Sequence, residues 1–305
     1  MLAAGGAVAL ALWGGIAWLQ GPDAFREVSR TCDDHQLCFV WEEKRDRLRL
    51  RIVNTAAAGV RTLHFTFLGD RAGLLNEPPE RFELDPLASR TLIASRAPIV
   101  SGIPIASRTP IASGETGGEP DLDYEYRSVV GRVGAVPALD AAYRLPIRPG
   151  PDTEVGQTCY GTWSHSDRWT RHAVDFSTPE GTVVLAARAG TVVQAVERFT
   201  QGGPDERHYN RDNRILVEHD DGTLAAYLHL MPDGADVEVG ERVEAGQPIG
   251  RSGSTGFSSG PHLHFAVVLV EDDLEWRTLP VALDYRGRKE VCPPSGTRYN
   301  RKEER

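Results

Sequence analysis

Two histidines that could do chemistry, His262 and His264, stand one residue apart, between the small-residue loop "STGFSSGP" and the apolar run "FAVVLV". The apolar run predicts a buried strand, and alternate residues of a strand face the same side. The two imidazoles should therefore point together, and the loop before them leaves room for another molecule. Such a pair suits a metal ligand beside a group that handles protons. A polar strand end with two solvated histidines is the simpler alternative.

A carboxylate and a third histidine occur in stretches with the same strand-like character. Asp175 lies in "AVDFSTPEGTVV" and His229 in "AAYLHL". His229 alternates with Tyr227 and Ala225, so we expect one strand face to present it inward. A packed core imidazole is the alternative for His229.

The order of these stretches resembles the M23 metallopeptidases, which are the LytM-like or lysostaphin-like peptidoglycan endopeptidases. The resemblance runs from about Leu145 to about Leu279 and includes "AVDF", "YLHL", "VGERVEAGQPIG" and "STGFSSGPHLHF" in that order. It implies a small antiparallel β catalytic domain of LytM-like type that binds Zn²⁺. By position, Asp175 and His264 match zinc ligands of that family.

The resemblance also assigns the proton chemistry to His229 and His262, which match the pair that flanks the metal-bound water. A catalytic zinc keeps an open position beside three protein ligands and lowers the pKa of bound water from about 15.7 to about 7. Histidine suits the neighbouring roles because its unperturbed pKa, about 6.5, lets it accept or donate a proton at neutral pH. It can also stabilise an oxyanion.

The first zinc ligand departs from the family pattern, which has a histidine four residues before the aspartate. Arg171 occupies that position here. His172 stands three residues before Asp175, and on an extended strand this separation points the two side chains to opposite faces unless a bulge re-aims one. His165, in "GTWSHSDRWTRHAVDF", would reach the metal from a loop, so strand parity does not apply to it. His165 is the better candidate, and His172 or no third ligand are the alternatives.

The domain organisation follows from short runs with period-two character. They predict an all-β chain with a sandwich of immunoglobulin-like type over residues 25–145. In "RLRLRIVN" the apolar residues share one face and the arginines the other. Residues 97–120 repeat "PIAS" and predict an exposed loop or an excursion at a sheet edge. The prolines of "YRLPIRPGP" mark a boundary, after which residues 146–295 form the M23-like domain and 296–305 a loose charged tail. His35 and His64 are expected to be structural or solvated, and His208 and His219 to lie in solvated loops.

The N-terminal segment and the cysteines together predict export. Residues 1–20 contain the uncharged stretch "MLAAGGAVALALWGGIAWL", which is typical of a signal peptide or a membrane anchor, with a buried core helix as the alternative. The four cysteines fit an oxidising compartment. Sequence alone allows three connectivities. Pairs Cys32–Cys38 and Cys159–Cys292 are favoured, and reduced thiols are the alternative.

The function predicted from these features is that of an exported zinc metalloendopeptidase. It would act in the periplasm or elsewhere in the cell envelope, free or anchored to the inner membrane, on peptide stems or cross-bridges of bacterial peptidoglycan. The net charge of −9 and the lack of a basic run argue against nucleic acid as a partner. The alternative is a LytM-like binding module that regulates other cell-wall hydrolases as its partners, and Arg171 favours it. The presence of all four other site residues favours the enzyme.

Overall fold

The computed structural model describes residues 25–33, 36–44, 47–67, 80–96, 124–138 and 140–300. Strands dominate these residues, and the one helical element described among them is the 3-10 turn Glu206–His208. The all-β prediction is confirmed. The apolar N-terminal segment, the loop predicted over 97–120 and His35 lie outside the described residues. Within them, no helix combines the length and the apolar character needed to cross a bilayer.

Seven strands form two sheets in the N-terminal unit. They are β1 (Arg26–Cys32), β2 (Leu37–Lys44), β3 (Arg47–Asn54), β4 (Arg61–Phe67), β5 (Arg81–Leu84), β6 (Ser89–Arg96) and β7 (Tyr124–Val130). One sheet has the order β1-β2-β3-β6 and the other β5-β4-β7. Residues from both sheets, among them Phe39, Ile52 and Phe65, pack into one buried core. The two sheets therefore form a sandwich.

The strand order of this sandwich differs from that of an immunoglobulin domain. In seven-stranded immunoglobulin domains, the first, second, fifth and fourth strands share a sheet. Here the first, second and third described strands form a meander that is extended by the sixth. The immunoglobulin-like type is therefore not confirmed by the described strands, although the sandwich architecture is present.

The alternation of "RLRLRIVN" is realised on β3. Leu50 and Ile52 are fully buried, whereas Arg49 and Arg51 pair with Glu42 on the opposite face, at 2.6 and 3.1 Å. Burial would raise the pKa of Glu42, but the hydrogen bonds and charges of the two guanidinium groups outweigh burial and lower it. The arginine face is thus a partly covered ion network and not a freely solvated surface.

The second unit is built around one large, mainly antiparallel sheet. Its strands are β8 (Tyr143–Arg144), β9 (Glu154–Gln157), β10 (Val174–Ser177), β11 (Val183–Leu185), β12 (Gly190–Val196), β13 (Gly202–Gly203), β14 (Asn213–Glu218), β15 (Leu224–Ala235), β16 (Arg242–Val243), β17 (Pro248–Ser252), β18 (Gly256–Phe257), β19 (His262–Val270), β20 (Trp276–Leu279), β21 (Ala282–Tyr285) and β22 (Arg288–Val291). The main path is β16-β12-β14-β15-β19-β10-β9, and β11, β17 and β20 join it at the side. There are two smaller sheets among the described residues of this unit. One pairs β13 with β18, and the other has the order β22-β21-β8.

The two faces of the central strands have different neighbours. One face carries Phe176, Tyr227 and Phe265, which are buried in the largest core. The opposite face carries Ala226 and Ala266 and belongs to a cluster that includes Ala58 and Val130 of the sandwich. Because side chains alternate along a strand, Phe265 of β19 and the two histidines of the same strand lie on different faces. The His-x-His pair therefore lies on the same face of the sheet as Ala266. Farther along the strands, the sandwich covers this face.

The sandwich and the large sheet touch through a close backbone approach. The buried Arg61 guanidinium donates to the carbonyl of Val193 at 3.2 Å. Gly59 has a φ of 82°, and a Cβ added there would lie 2.7 Å from Cβ of Val193. Glycine is therefore required at this contact, both for its left-handed backbone and for space.

The predicted ends of the second unit need correction. Tyr143–Arg144 already pairs with β21, so the second unit begins ahead of residue 146. At the other end, Tyr299 is 4% exposed, and the Val155 amide donates to the Thr297 carbonyl at 2.8 Å. The expectation of a loose tail is wrong for these residues because their backbone and side chains are packed against the domain.

Both favoured disulfides are present. Cys32 is bonded to Cys38 and Cys159 to Cys292. The pairing prediction is confirmed. The second bond links the start of the domain to its last strands, across a separation of 133 residues.

The expected solvation of His208 and His219 is wrong, since their exposed fractions are 9% and 3%. His219 lies in the turn between β14 and β15, with Nδ1 at 2.9 Å from Oγ1 of Thr223. Its Nε2 is buried without a hydrogen-bond partner. Burial, reinforced by the nearby charge of Arg188, lowers the pKa of His219 to about 4.

The depressed pKa of His219 predicts a pH-dependent stability. The unfolded chain takes up this proton near the ordinary pKa of about 6.5, whereas the folded chain takes it up only near pH 4. The contribution of neutral His219 to the free energy of unfolding should therefore be fully present above about pH 6.5. The free energy of unfolding should then fall by roughly 3 kcal/mol as the pH drops towards 4. His219→Gln should flatten this slope in denaturant titrations, and His64→Gln, at an exposed position, should not. Equal slopes for wild type and His219→Gln would contradict the prediction.

Candidate functional site

Antiparallel pairing of β10 with β19 brings the predicted aspartate and histidines together. Asp175 lies directly opposite His264, and Ser177 lies opposite His262. The Nδ1 of His264 is 2.8 Å from Oδ1 of Asp175, and the Nε2 of His262 lies 4.0 Å from the same oxygen. The shared face expected from the His-x-His spacing is present in the sheet.

His165 reaches the same carboxylate from the loop between β9 and β10. It is fully buried, and its Nε2 lies 3.2 Å from Oδ2 of Asp175 without the geometry of a hydrogen bond. Its Nδ1 is 2.8 Å from the carbonyl oxygen of Thr158. A carbonyl only accepts, so Nδ1 carries the proton and the lone pair of Nε2 faces the carboxylate.

The donor set of His165, Asp175 and His264 fits a divalent metal such as zinc. Each residue offers one ligand atom, and the three atoms lie within 4.8 Å of one another. The two histidines approach different oxygens of the carboxylate, Nδ1 of His264 lying 2.8 Å from Oδ1 and Nε2 of His165 lying 3.2 Å from Oδ2. The buried Nε2 of His165, which has no hydrogen-bond partner, is an atom that a metal would satisfy. No second group of this kind occurs in the part of the chain that the structure describes.

The charge of Asp175 is set by its two histidine neighbours. Burial opposes ionisation, but the interactions of the carboxylate with the imidazoles of His165 and His264 outweigh it and hold the pKa of Asp175 well below its usual range. For His165, burial lowers the pKa, and Asp175 more than compensates and raises it. A carboxylate that remains charged while only 7% exposed favours a cation beside it.

A β-bulge directs His229 into the site. Strand parity would place His229 on the face of Tyr227, in the large core, so the inward orientation expected from alternation with Tyr227 is wrong. Leu228 and Leu230 pair with consecutive residues of β14, which leaves His229 as the extra residue. Its φ of 63° lies in the left-handed region that side chains with a Cβ rarely adopt. This turn of the backbone rotates the imidazole towards the other face.

The bulge places the His229 ring beside the two histidines of β19. Its centroid is 4.6 Å from that of His262 and 5.9 Å from that of His264. The rings of His229 and His262 are each oriented by a carbonyl oxygen. Nδ1 of His229 donates to the carbonyl of Thr255 at 2.7 Å, and Nδ1 of His262 donates to that of Gly260 at 2.8 Å. Both rings therefore keep a lone pair on Nε2.

Burial lowers the pKa of both His229 and His262. A positive charge on His262 would lower that of His229 further. The two imidazoles are consequently neutral at neutral pH, and protonation of one disfavours protonation of the other. Two adjacent neutral imidazoles with free Nε2 atoms can receive a single proton and return it.

His172 is held outside this group. Its Nδ1 donates to the carbonyl of Thr278 at 3.0 Å, and its Nε2 accepts from the hydroxyl of Tyr160 at 2.8 Å. Both ring nitrogens are thereby occupied. Arg171 is exposed in the same turn. The structure thus brings His165, and neither His172 nor Arg171, to Asp175.

Gln157 is a site residue that sequence reasoning missed. Its Nε2 donates to Oδ2 of Asp175 at 3.0 Å and to Oγ of Ser164 at 2.8 Å, while its Oε1 accepts from the Trp163 amide at 3.2 Å. Gln157 therefore ties the loop that carries His165 to the carboxylate. A single glutamine at the end of a short strand carries no sequence signal of this role.

The segment between β12 and β14 lies against the loop that precedes His262. Its strand β13 pairs in parallel with β18. At Gly202, an added Cβ would lie 1.8 Å from the carbonyl oxygen of Ser254, so no larger residue allows this approach. At the base of the segment, Asn213 bonds both the amide and the carbonyl of Phe199, at 2.9 and 2.8 Å. These contacts fix the segment against the loop that precedes His262.

Comparison with known proteins finds one matching family. Residues 170–275 match Peptidase family M23. Over 95 residues the chain is 43% identical to "Glycyl-glycine endopeptidase ALE-1" of Staphylococcus capitis, a match that covers 31% of this chain and 23% of that protein. Over 98 residues it is 33% identical to "Peptidoglycan DD-endopeptidase ShyA" of Vibrio cholerae, covering 32% of this chain and 20% of that protein.

A solved structure with similarity to the chain is the catalytic domain of the antimicrobial peptidase lysostaphin from Staphylococcus simulans. It shares 34% identity, and the match covers 37% of this chain and 75% of that one, with a TM-score of 0.28. The chain spans less than a quarter of the length of either curated relative. The family match begins at residue 170, so it includes Asp175 and the histidines of β15 and β19 but not His165. The M23 family predicted from sequence is confirmed for residues 170–275.

Proposed function

Residues 170–275 belong to peptidase family M23, and we propose that this domain is a zinc-dependent endopeptidase that cleaves peptide cross-links of bacterial peptidoglycan. The observation that carries the proposal is the buried triad His165, Asp175 and His264, whose ligand atoms lie within 4.8 Å of one another. These three residues would hold the metal. When bound, zinc supplies a Lewis acid that makes water a nucleophile at neutral pH.

The proton chemistry falls to His229 and His262. Each has its Nδ1 proton donated to a carbonyl oxygen, so each can take up a proton at Nε2. Because both pKa values are lowered by burial, the imidazoles are available as bases at neutral pH. One Nε2 accepts the proton of the attacking water, and the resulting imidazolium returns it to the nitrogen of the leaving amine. Before the return, the same N–H can donate to the developing oxyanion.

The environment proposed for this activity is outside the cytoplasm. Two disulfides are typical of an oxidising compartment, and the apolar stretch at residues 1–19 is typical of export. The enzyme would therefore act in the periplasm or elsewhere in the cell envelope, where peptide stems and cross-bridges are accessible. The relatives named above act, by their names, on glycyl-glycine and peptidoglycan bonds.

The test is zinc content and wall cleavage measured on the same full-length protein, purified in detergent. About one zinc per chain and release of new amino groups from purified peptidoglycan are expected. A chelator should stop the release and added zinc should restore it. Asp175→Asn, which keeps the size of the side chain but removes its charge, should lose both zinc and cleavage. A chain that binds no zinc after supplementation and cleaves nothing would instead be a binding module that regulates other hydrolases.

A further inference from the structure

Three aromatic rings form a stack beside the candidate metal centre. Phe257 lies between Trp163 and Tyr209, with ring centroids at 5.5 and 4.5 Å, and its ring is within 13° of parallel to that of Trp163. The two outer residues are half exposed, Trp163 at 54% and Tyr209 at 51%. The three rings come from separate segments: Trp163 from the loop that carries His165, Phe257 from the strand β18 and Tyr209 from the end of the 3-10 turn. An exposed stack assembled from three segments is a feature that the proposed proton and metal chemistry does not use.

Backbone hydrogen bonds hold in place the three segments that carry the stack. The amide of Trp163 donates to Gln157, which also bonds Asp175. Phe257 is fixed by the pairing of β18 with β13, and Tyr209 is tied by its amide to the Glu206 carbonyl at 3.0 Å. A platform that is ordered before its ligand arrives loses little conformational entropy on binding.

Trp163 also lines a cleft next to the candidate metal ligands. Phe257 covers one face of the indole, and Trp163 borders a cavity of about 590 Å³ that also contacts Asp175 and His262. This volume falls within the roughly 300–1,000 Å³ of small-molecule sites. The other lining residues are small or uncharged, such as Gly161, Ser177 and Ser259, and none of the described lining residues is lysine or arginine.

We propose that the free face of Trp163 is a subsite for the pyranose ring of an N-acetylated amino sugar, supplied by the glycan strand to which the cleaved peptide is attached. The C–H face of a pyranose packs well on the negative face of an indole. The hydroxyl groups of the cleft can pair with sugar hydroxyl and acetamide groups. Without lysine or arginine, the cleft lacks a charged partner for the carboxylates of a peptide stem, whereas an N-acetylated sugar is neutral. This inference rests on the proposed function, because it names the part of the wall polymer that lies beside the cleaved peptide.

The experiment uses the zinc-loaded full-length chain and a tetramer of N-acetylglucosamine as the probe. Saturable binding by calorimetry, with a change in tryptophan fluorescence, is expected for the wild type. Trp163→Ala should weaken it about tenfold or more, and Trp163→Phe should restore part of the loss because a flat ring remains. Trp169→Ala is the matched control, since Trp169 is 53% exposed on the same loop but does not line the cleft. Thermal melts of all variants verify that they are folded.

The outcomes separate this inference from the proposed function. Hydrolysis should be compared on a sugar-bearing muropeptide dimer and on the same peptides without sugar, and Trp163→Ala should raise KM about tenfold more for the former. A wild type that cleaves wall peptides but does not bind the tetramer, or equal KM increases for both substrates, would overturn the sugar subsite and leave the peptidase intact. Tetramer binding that depends on Trp163 in a chain without zinc or cleavage would support the subsite and overturn the peptidase.

Discussion

His264→Ala should lose bound zinc and peptide cleavage together, whereas His262→Ala and His229→Ala should keep most of the zinc and lose cleavage. His264 presents Nδ1 within 2.8 Å of Asp175, so its removal takes one donor from a set of three. The other two histidines lie beside this set without completing it. Proton transfer by a positioned imidazole contributes roughly 10²–10⁴-fold to rate, which is the loss expected for either of them.

The expected separation of zinc from cleavage depends on the orientation of the rings. The Nδ1 atoms of His229 and His262 are committed to the carbonyls of Thr255 and Gly260. Their remaining nitrogens are free, and that of His262 is 4.0 Å from the Asp175 carboxylate. These rings can therefore move a proton without being needed to hold the ion.

Zinc content and release of amino groups from peptidoglycan should be measured on the same preparations of each variant. His64→Ala, at an exposed position of the sandwich, is the control for the loss of one histidine and should match the wild type in both. If His262→Ala or His229→Ala lost zinc as completely as His264→Ala, these residues would be ligands and the division of roles would be wrong.

The parts of the site that depend on strand periodicity could be predicted from the sequence. The His-x-His spacing ahead of an apolar run places His262 and His264 on one face, and the register of β10 against β19 has them opposite Ser177 and Asp175. Local alternation also identified five of the seven strands of the sandwich but missed β1 and β6. Which strands are neighbours in its two sheets was not predictable, because strand order is decided by packing between segments that are distant in sequence.

The parts that depend on irregular backbone or long-range contact were missed or assigned for the wrong reason. Alternation along β15 assigns His229 to the face of Tyr227, and only the bulge with φ 63° reverses this. Nothing in the residue type announces a left-handed histidine. Gln157 and the stack on Phe257 likewise join segments that no local pattern relates. The disulfides were partly predictable because four cysteines allow only three pairings.

His165→Ala should strip the zinc, whereas His172→Ala should bind zinc like the wild type. Loss of a partner that only supports a ligand costs about 10–100-fold in metal affinity, so loss of a ligand should cost at least that much. His172 instead bonds Tyr160 and Thr278. Its removal should lower stability by about 1 kcal/mol through the lost hydrogen bonds without releasing the ion. Competition with a chromophoric chelator, at a temperature where both variants are folded, measures the difference.

A double variant tests whether the position of the usual family histidine could replace His165. In the family pattern, a histidine four residues before the aspartate shares its strand face. Here Arg171 is exposed in a turn, with its amide bonded to the Asp167 carbonyl and its carbonyl accepting from the Tyr160 amide, both at 2.7 Å. Because this turn precedes β10, strand parity does not aim residue 171 at Asp175. Arg171→His combined with His165→Ala should therefore remain without zinc. Recovery of tight zinc binding in the double variant would mean that the turn can unwind into a longer β10, and that the loop ligand is a replaceable solution rather than a requirement of this fold.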